Sequence, residues 1–217
     1  MKLNRILCLV LTAALSVFFC GCDADNIPDD MQYQLVDFMY CINNADLTTF
    51  VKVSKEHKKF AESCFDDIEL YGAKLSLPMK LSDLPDEFVY VPNKSPSGEY
   101  NGMYSHWGNI DIDDTKVCTA EIIYPVGKDY KEGVIVSLGF SHFPQIQCAT
   151  FRMGGEYGFL SMSKAEELLG EFEDINEVIY YLGDDRVISL YYSDSYGTYD
   201  PEGCALAVTI STVGDYY

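Results

Sequence analysis

Four places in this 217-residue chain hold residues whose types and spacing could do chemistry. Asn109-Ile-Asp111-Ile-Asp113-Asp114 alternates oxygen ligands in the manner of a calcium loop. It departs from the EF-hand, however, with Asp114 where Gly is required and Ala120 where the bidentate Glu belongs. The same alternation of Ile and Asp is what an exposed strand looks like. Asp194-Ser-Tyr-Gly-Thr-Tyr-Asp200-Pro-Glu202 could gather cations or offer aromatic stacking, and reads more plainly as a hairpin connection. Gly139-Phe-Ser141-His142-Phe143 starts like a nucleophile elbow, but its second Gly is missing and its surroundings lack βαβ alternation. The three histidines are His57, His106 and His142. The last two sit in similar contexts, Tyr104-Ser-His-Trp107 and Phe140-Ser-His-Phe143, and would titrate near neutral pH if the fold joined them. Surface or hydrogen-bonded histidines are the plainer reading. From these sets the sequence assigns no catalytic residue, no metal ligand and no cofactor.

The eight cysteines divide into Cys8, Cys20 and Cys22 near the start, then Cys41, Cys64, Cys118, Cys148 and Cys204. The last five contain no C-x-x-C and no close pair, which argues against zinc and against a dense disulfide scaffold. Small buried hydrophobes are the expected role. Cys41–Cys64 is the pair to bridge if any bridge forms.

Cys22 has a different setting. Lys2 and Arg5 make a short basic start, Ile6 to Phe19 is uncharged and mostly apolar, and Gly21 precedes Cys22, which is followed by acidic Asp23-Ala-Asp25. Basic, apolar and small-residue segments in that order mark a secretory signal. A Cys directly after the small residue resembles the lipobox of bacterial lipoproteins. That resemblance implies diacylglyceryl attachment (palmitate-type chains) at the Cys22 sulfur, cleavage before it, and a cell-membrane anchor facing the extracytoplasmic side. Two acyl chains hold stably where one binds only reversibly. An ordinary cleaved signal is the alternative, because Phe19 and Cys20 fill positions where the pattern prefers Leu and a small residue. Length argues against an uncleaved membrane helix: the apolar run is shorter than the ~20 residues a bilayer needs.

Composition bounds the partners. The formal charge is −19, and only two of the 15 basic residues, with none of the 34 acidic ones, precede Cys22. Such a field repels nucleic acid and anionic headgroups. With 48% hydrophobic and 14% aromatic residues the chain is a folded protein and not a disordered one. The lysines at 52, 55, 58 and 59 read as a solvated helix face.

Positioning these residues falls to elements legible as follows. Residues 1–21 are the signal, 22–30 a polar tether, 31–72 a helical segment and 73–217 an antiparallel α+β domain. The two helices rest on apolar stripes, Met31, Leu35, Phe38, Met39 and Ile42 in one, Phe60, Ala61, Cys64, Phe65 and Ile68 in the other. Ser54 is the expected cap of the second and Gly72 its stop. Strands are expected over 74–77, 88–91, 116–124, 133–140, 146–152, 177–182, 186–192 and 204–212, with a hairpin turn at Leu182-Gly-Asp-Asp-Arg186. One further helix carries Ala165, Leu168 and Leu169, with Ser163 and Glu166 spaced as a capping box and Gly170 as stop. An echo between 77–88 and 160–172 raises the possibility of two related halves, 73–156 and 157–217. The fold class expected is thus α+β: two N-terminal helices, then antiparallel sheet units with a short capped helix packed on the sheet.

Ser163, Glu166, Leu169 and Gly170, ahead of three strand-like runs, are similar to the helix-plus-three-strand module of small outer-membrane-assembly lipoproteins and of the β-lactamase inhibitor protein fold. That resemblance implies binding or complex assembly, without a reaction. Tyr180-Tyr181 and Tyr191-Tyr192 place one ring on each face of a strand, filling a core on one side and leaving an aromatic strip on the other. The expectation is a non-enzymatic envelope lipoprotein that binds a protein or envelope component. The competing class is an envelope hydrolase with an acidic, cation-assisted site. Converging acids with a His in a cleft would favour the enzyme, a shallow Tyr-rich face the binding protein.

Overall fold

The computed structural model describes residues 48–141, 151–172, 177–183, 185–192 and 203–212. All belong to one unit, Leu47–Tyr217. Cys22, the 22–30 tether, the stripe from Met31 to Ile42, Cys41, His142, Cys148 and the Asp194–Glu202 stretch lie outside the described residues.

Strands dominate, and this corrects the α+β expectation built on two leading helices. The first described element is a strand, β1 (Thr48–Lys52), in the middle of the segment read as helical. Its Thr-Thr-Phe-Val run is β-branched and aromatic, which suits a pleated surface better than a helix. Helix α1 covers only Lys58–Asp66, starting from His57 and not from Ser54. Ile68, counted on its helical stripe, opens strand β2 (Ile68–Leu70) instead. Gly72 is no helix stop. Tyr71 and Gly72, with φ of 52° and 84°, turn β2 back into β3 (Ala73–Leu75), and the type I′ geometry matches the strand twist.

Further strands are β4 (Met79–Lys80), β5 (Val89–Pro92), β6 (Gly98–Tyr100), β7 (Met103–Ile112), β8 (Thr115–Pro125) and β9 (Val134–Ser141). Then come β10 (Arg152–Met153), β11 (Glu156–Tyr157), helix α2 (Met162–Leu169), β12 (Glu177–Leu182), β13 (Arg186–Tyr191) and β14 (Ala207–Thr212). One large sheet runs β1-β12-β13-β14-β9-β8-β7-β5, with β4 beside β9 and β6 beside β7. It is mixed: β1 lies parallel to β12, and the other pairings are antiparallel. A small sheet, β11-β10-β2-β3, stands apart from it. The helix followed by the β12-β13-β14 meander is present as read from sequence.

The core lies between one face of the large sheet and the helices with the small sheet. Ala120, Leu138, Ile210, Ile188 and Tyr180 form a fully buried row across five strands, each opposite the next. Ala61, Cys64 and Phe65 of α1 and Ala165 and Leu169 of α2 cover that side, with Ile68, Leu70 and Met153 from the small sheet. Phe140 and Phe151 stack at 3.6 Å between ring centroids, joining the two sheets. Tyr180 donates its hydroxyl to the Gly170 carbonyl at 3.0 Å, which ties the end of α2 to β12. Among the described residues no helix is long and apolar enough to cross a membrane.

Candidate binding face

Strict alternation along a strand sends successive side chains to opposite faces. In β7 the positions of His106, Gly108 and Ile110 are buried, while Ser105, Trp107 and Asn109 stay partly exposed. Register then carries the second set across the sheet. Trp107 is opposite Glu121, Glu121 opposite Ser137, and Ser137 opposite Ser211. Val187 and Tyr181 continue that row. The neighbouring row runs Asn109, Thr119, Gly139, Thr209 and Ser189, and ends on Ile179 and the exposed Phe50. The second face is therefore a band of hydroxyls with aromatic rings toward both ends.

Its centre is built, not bland. Glu121 is a carboxylate only 8% exposed, and Ser105 Oγ donates to its Oε1 at 2.5 Å from the adjacent strand. Ser137 beside it is also buried. Gly139 is required here: a Cβ would meet Thr119 Oγ1 at 2.5 Å, and that hydroxyl donates to the Gly139 carbonyl at 3.2 Å. The paired tyrosines divide as their alternation dictates, with Tyr180 and Tyr192 in the core and Tyr181 and Tyr191 on the partly exposed side.

The residues singled out by chemistry are placed as follows. His106 points into the core side, with Nε2 2.9 Å from the Asn93 carbonyl and Nδ1 3.4 Å from the Tyr124 hydroxyl. A carbonyl only accepts, so Nε2 donates to Asn93, while Nδ1 faces the Tyr124 hydroxyl. Tyr90 donates to the His106 carbonyl at 2.8 Å, and the Tyr130 ring meets the imidazole edge-on. Burial pushes the Tyr90 phenol well above its ordinary value, with Tyr124, Tyr130 and Glu121 adding to the rise. Tyr124 is raised for the same first reason, then by Tyr104 and Asp129. This is a hydrogen-bonded core histidine. His57 starts α1, with Nδ1 3.1 Å from Ser54 Oγ.

The calcium-like run is the end of β7 and its hairpin. Asp113 and Asp114, at φ 48° and 61°, form the turn into β8, while Asp111 lies in the strand opposite Lys116. Gly139 to Ser141 lie in β9, with Ser141 opposite Ala207, and His142 and Phe143 lie outside the described residues. Among the described residues no group of three or more His, Cys, Asp or Glu converges to hold a metal ion. Cys64 is a free, buried thiol, and its burial pushes it up to about 12.

Sequence reasoning missed the Trp107–Glu121–Ser105 set. The available signal was the alternation from Met103 to Ile112, hidden because its buried positions include a His and a Gly. No protein-family model, no curated protein and no solved structure matches the chain.

Proposed function

We propose that the protein is an extracytoplasmic lipoprotein, anchored in the cell membrane through acyl chains on Cys22, with a non-enzymatic binding role in the cell envelope. The reading is supported by one observation: a large sheet whose second face holds the partly exposed rings of Trp107, Tyr181 and Tyr191 beside a band of hydroxyls. Partly exposed aromatic rings of this kind suit binding surfaces because they combine apolar area with a polar tip. His106 supports binding over hydrolysis as well, because its two ring nitrogens face a backbone carbonyl and a tyrosine hydroxyl. The partner is a protein or an envelope component. Replacing Thr209, in the middle of the face, by Arg tests this. Thermal unfolding is expected to stay within a few degrees of the parent while co-purification of the envelope component from native membranes is lost. Undiminished co-purification removes the face from the reading.

A further inference from the structure

The turn between β6 and β7 is Asn101-Gly102, and it carries a reactivity independent of the binding reading above. Of the eight asparagines in the chain, only Asn101 is followed by glycine. With φ of 49° and 75° the two residues close the type I′ hairpin that pairs Tyr100 with Met103. Both are exposed, and nothing lies within 4 Å of where a Cβ on Gly102 would be. Among the described residues no hydrogen bond holds the Asn101 carboxamide. Strand β6 is only Gly98–Tyr100, and its one described neighbour in the sheet is β7. Short hairpins at a sheet margin open locally at low cost.

A carboxamide followed by a glycine nitrogen can cyclise, because glycine puts no side chain beside the attacking atom. The five-membered ring needs a ψ at Asn101 that a type I′ turn does not have, so attack waits on opening of the hairpin. We propose that Asn101 is a self-modification site: in open excursions of the hairpin the Gly102 nitrogen attacks Asn101 Cγ, and the product releases β6 from β7. The N–Cγ bond forms as the Cγ–Nδ2 bond breaks, and ammonia leaves with the proton that the Gly102 nitrogen gives up. Water then opens the succinimide at either carbonyl. Opening at Cγ leaves aspartate in an ordinary main chain, while opening at the backbone carbonyl sends the main chain through Cβ as isoaspartate. Either product adds a negative charge to a chain already at −19. Isoaspartate also lengthens the turn by one backbone atom, which a two-residue type I′ loop cannot absorb. The pairings of Gly98 with Ser105, Glu99 with Tyr104 and Tyr100 with Met103 are then lost, with the bond from the Ser97 N–H to the Ser105 carbonyl.

The full-length protein, in a nonionic detergent, is held warm in mildly alkaline heavy-oxygen water, and its peptides are mapped over time. Asn101 is expected to convert at least tenfold faster than Asn93 or Asn109, with heavy oxygen in the new carboxyl and isoaspartate the larger product. Conversion is expected to be faster still in denaturant, where no hairpin resists ring closure. Hydrogen exchange then reads the ladder. The Ser97 amide is expected to lose protection in the aged protein and to keep it in fresh Asn101→Asp. That variant carries the charge without the added backbone atom, and Asp-Gly is itself a favoured type I′ pair. Asn101 staying intact in the native protein while it converts in denaturant overturns the proposal, because the turn then protects the amide. Conversion to isoaspartate that leaves Ser97 protected overturns the release of β6.

Discussion

Tyrosines 90, 180 and 192 are held protonated by burial, each well above an ordinary phenol. In the unfolded chain they ionise near pH 10. Their contribution to stability is therefore complete below that pH and is lost as pH rises from there toward the folded values. Stability is expected to fall by about 1.4 kcal/mol per pH unit for each such group in that window. Denaturant unfolding followed from pH 9 upward checks the slope, and phenolate absorbance should show part of the tyrosine ionising only with unfolding. Cys64, buried and pushed up to about 12, is expected to resist thiol reagents in the native state and to react on unfolding. At this scale the division of Tyr180 from Tyr181 was legible, because a strand has only two faces. The Trp107–Glu121 pair was not, because it depends on which strand lies beside β7 and in what register.

Each element carries its own test. Helix α2 is capped by Ser161, whose side chain accepts from the Lys164 N–H at 3.3 Å, and not by Ser163 as a capping-box reading expects. Ser161→Ala should cost about 1 kcal/mol, as N-cap removals do. Ser163→Ala should stay within roughly 0.5 kcal/mol, as ordinary surface changes do. The reverse order would restore the sequence-based boundary. Gly108 lies beneath Tyr90, and a Cβ there would come 2.6 Å from both the Tyr90 ring and the Val91 carbonyl. Gly108→Ala is thus expected to destabilise by roughly 1–3 kcal/mol through overpacking, read as a lowered Tm. The strands β8, β9, β12 and β13 were legible to within a residue or so, since each is a dense run of Val, Ile, Leu, Phe or Tyr. Strand β7 was absent from the expected strands, although the Ile/Asp alternation at its end also read as an exposed strand, and β1 escaped because it sits between helical stripes. The long helix expected over 54–71 failed on Ile68: an apolar residue at helical spacing is equally the first residue of a buried strand.

For the whole molecule, the order β1-β12-β13-β14-β9-β8-β7-β5 puts one sheet face on the core, and the proposed function assigns the other to a partner. Of that order the β12-β13-β14 meander was readable beforehand, but the parallel pairing of β1 with β12 was not, because it joins residues more than a hundred positions apart. Anchoring belongs to this scale as well. Cys22→Ser is expected to release the protein from the membrane pellet, and unchanged pelleting would exclude acylation at that sulfur as the means of attachment. The central claim is that the hydroxyl-and-aromatic face is the working surface. The direct measurement is photo-crosslinking in native envelopes, with a benzophenone amino acid placed in turn at Tyr181 and Thr209 on that face and at Tyr71 and Tyr157 on exposed positions beside the small sheet. The account predicts adducts from Tyr181 and Thr209 and none from Tyr71 or Tyr157. Adducts confined to Tyr71 and Tyr157 would contradict it.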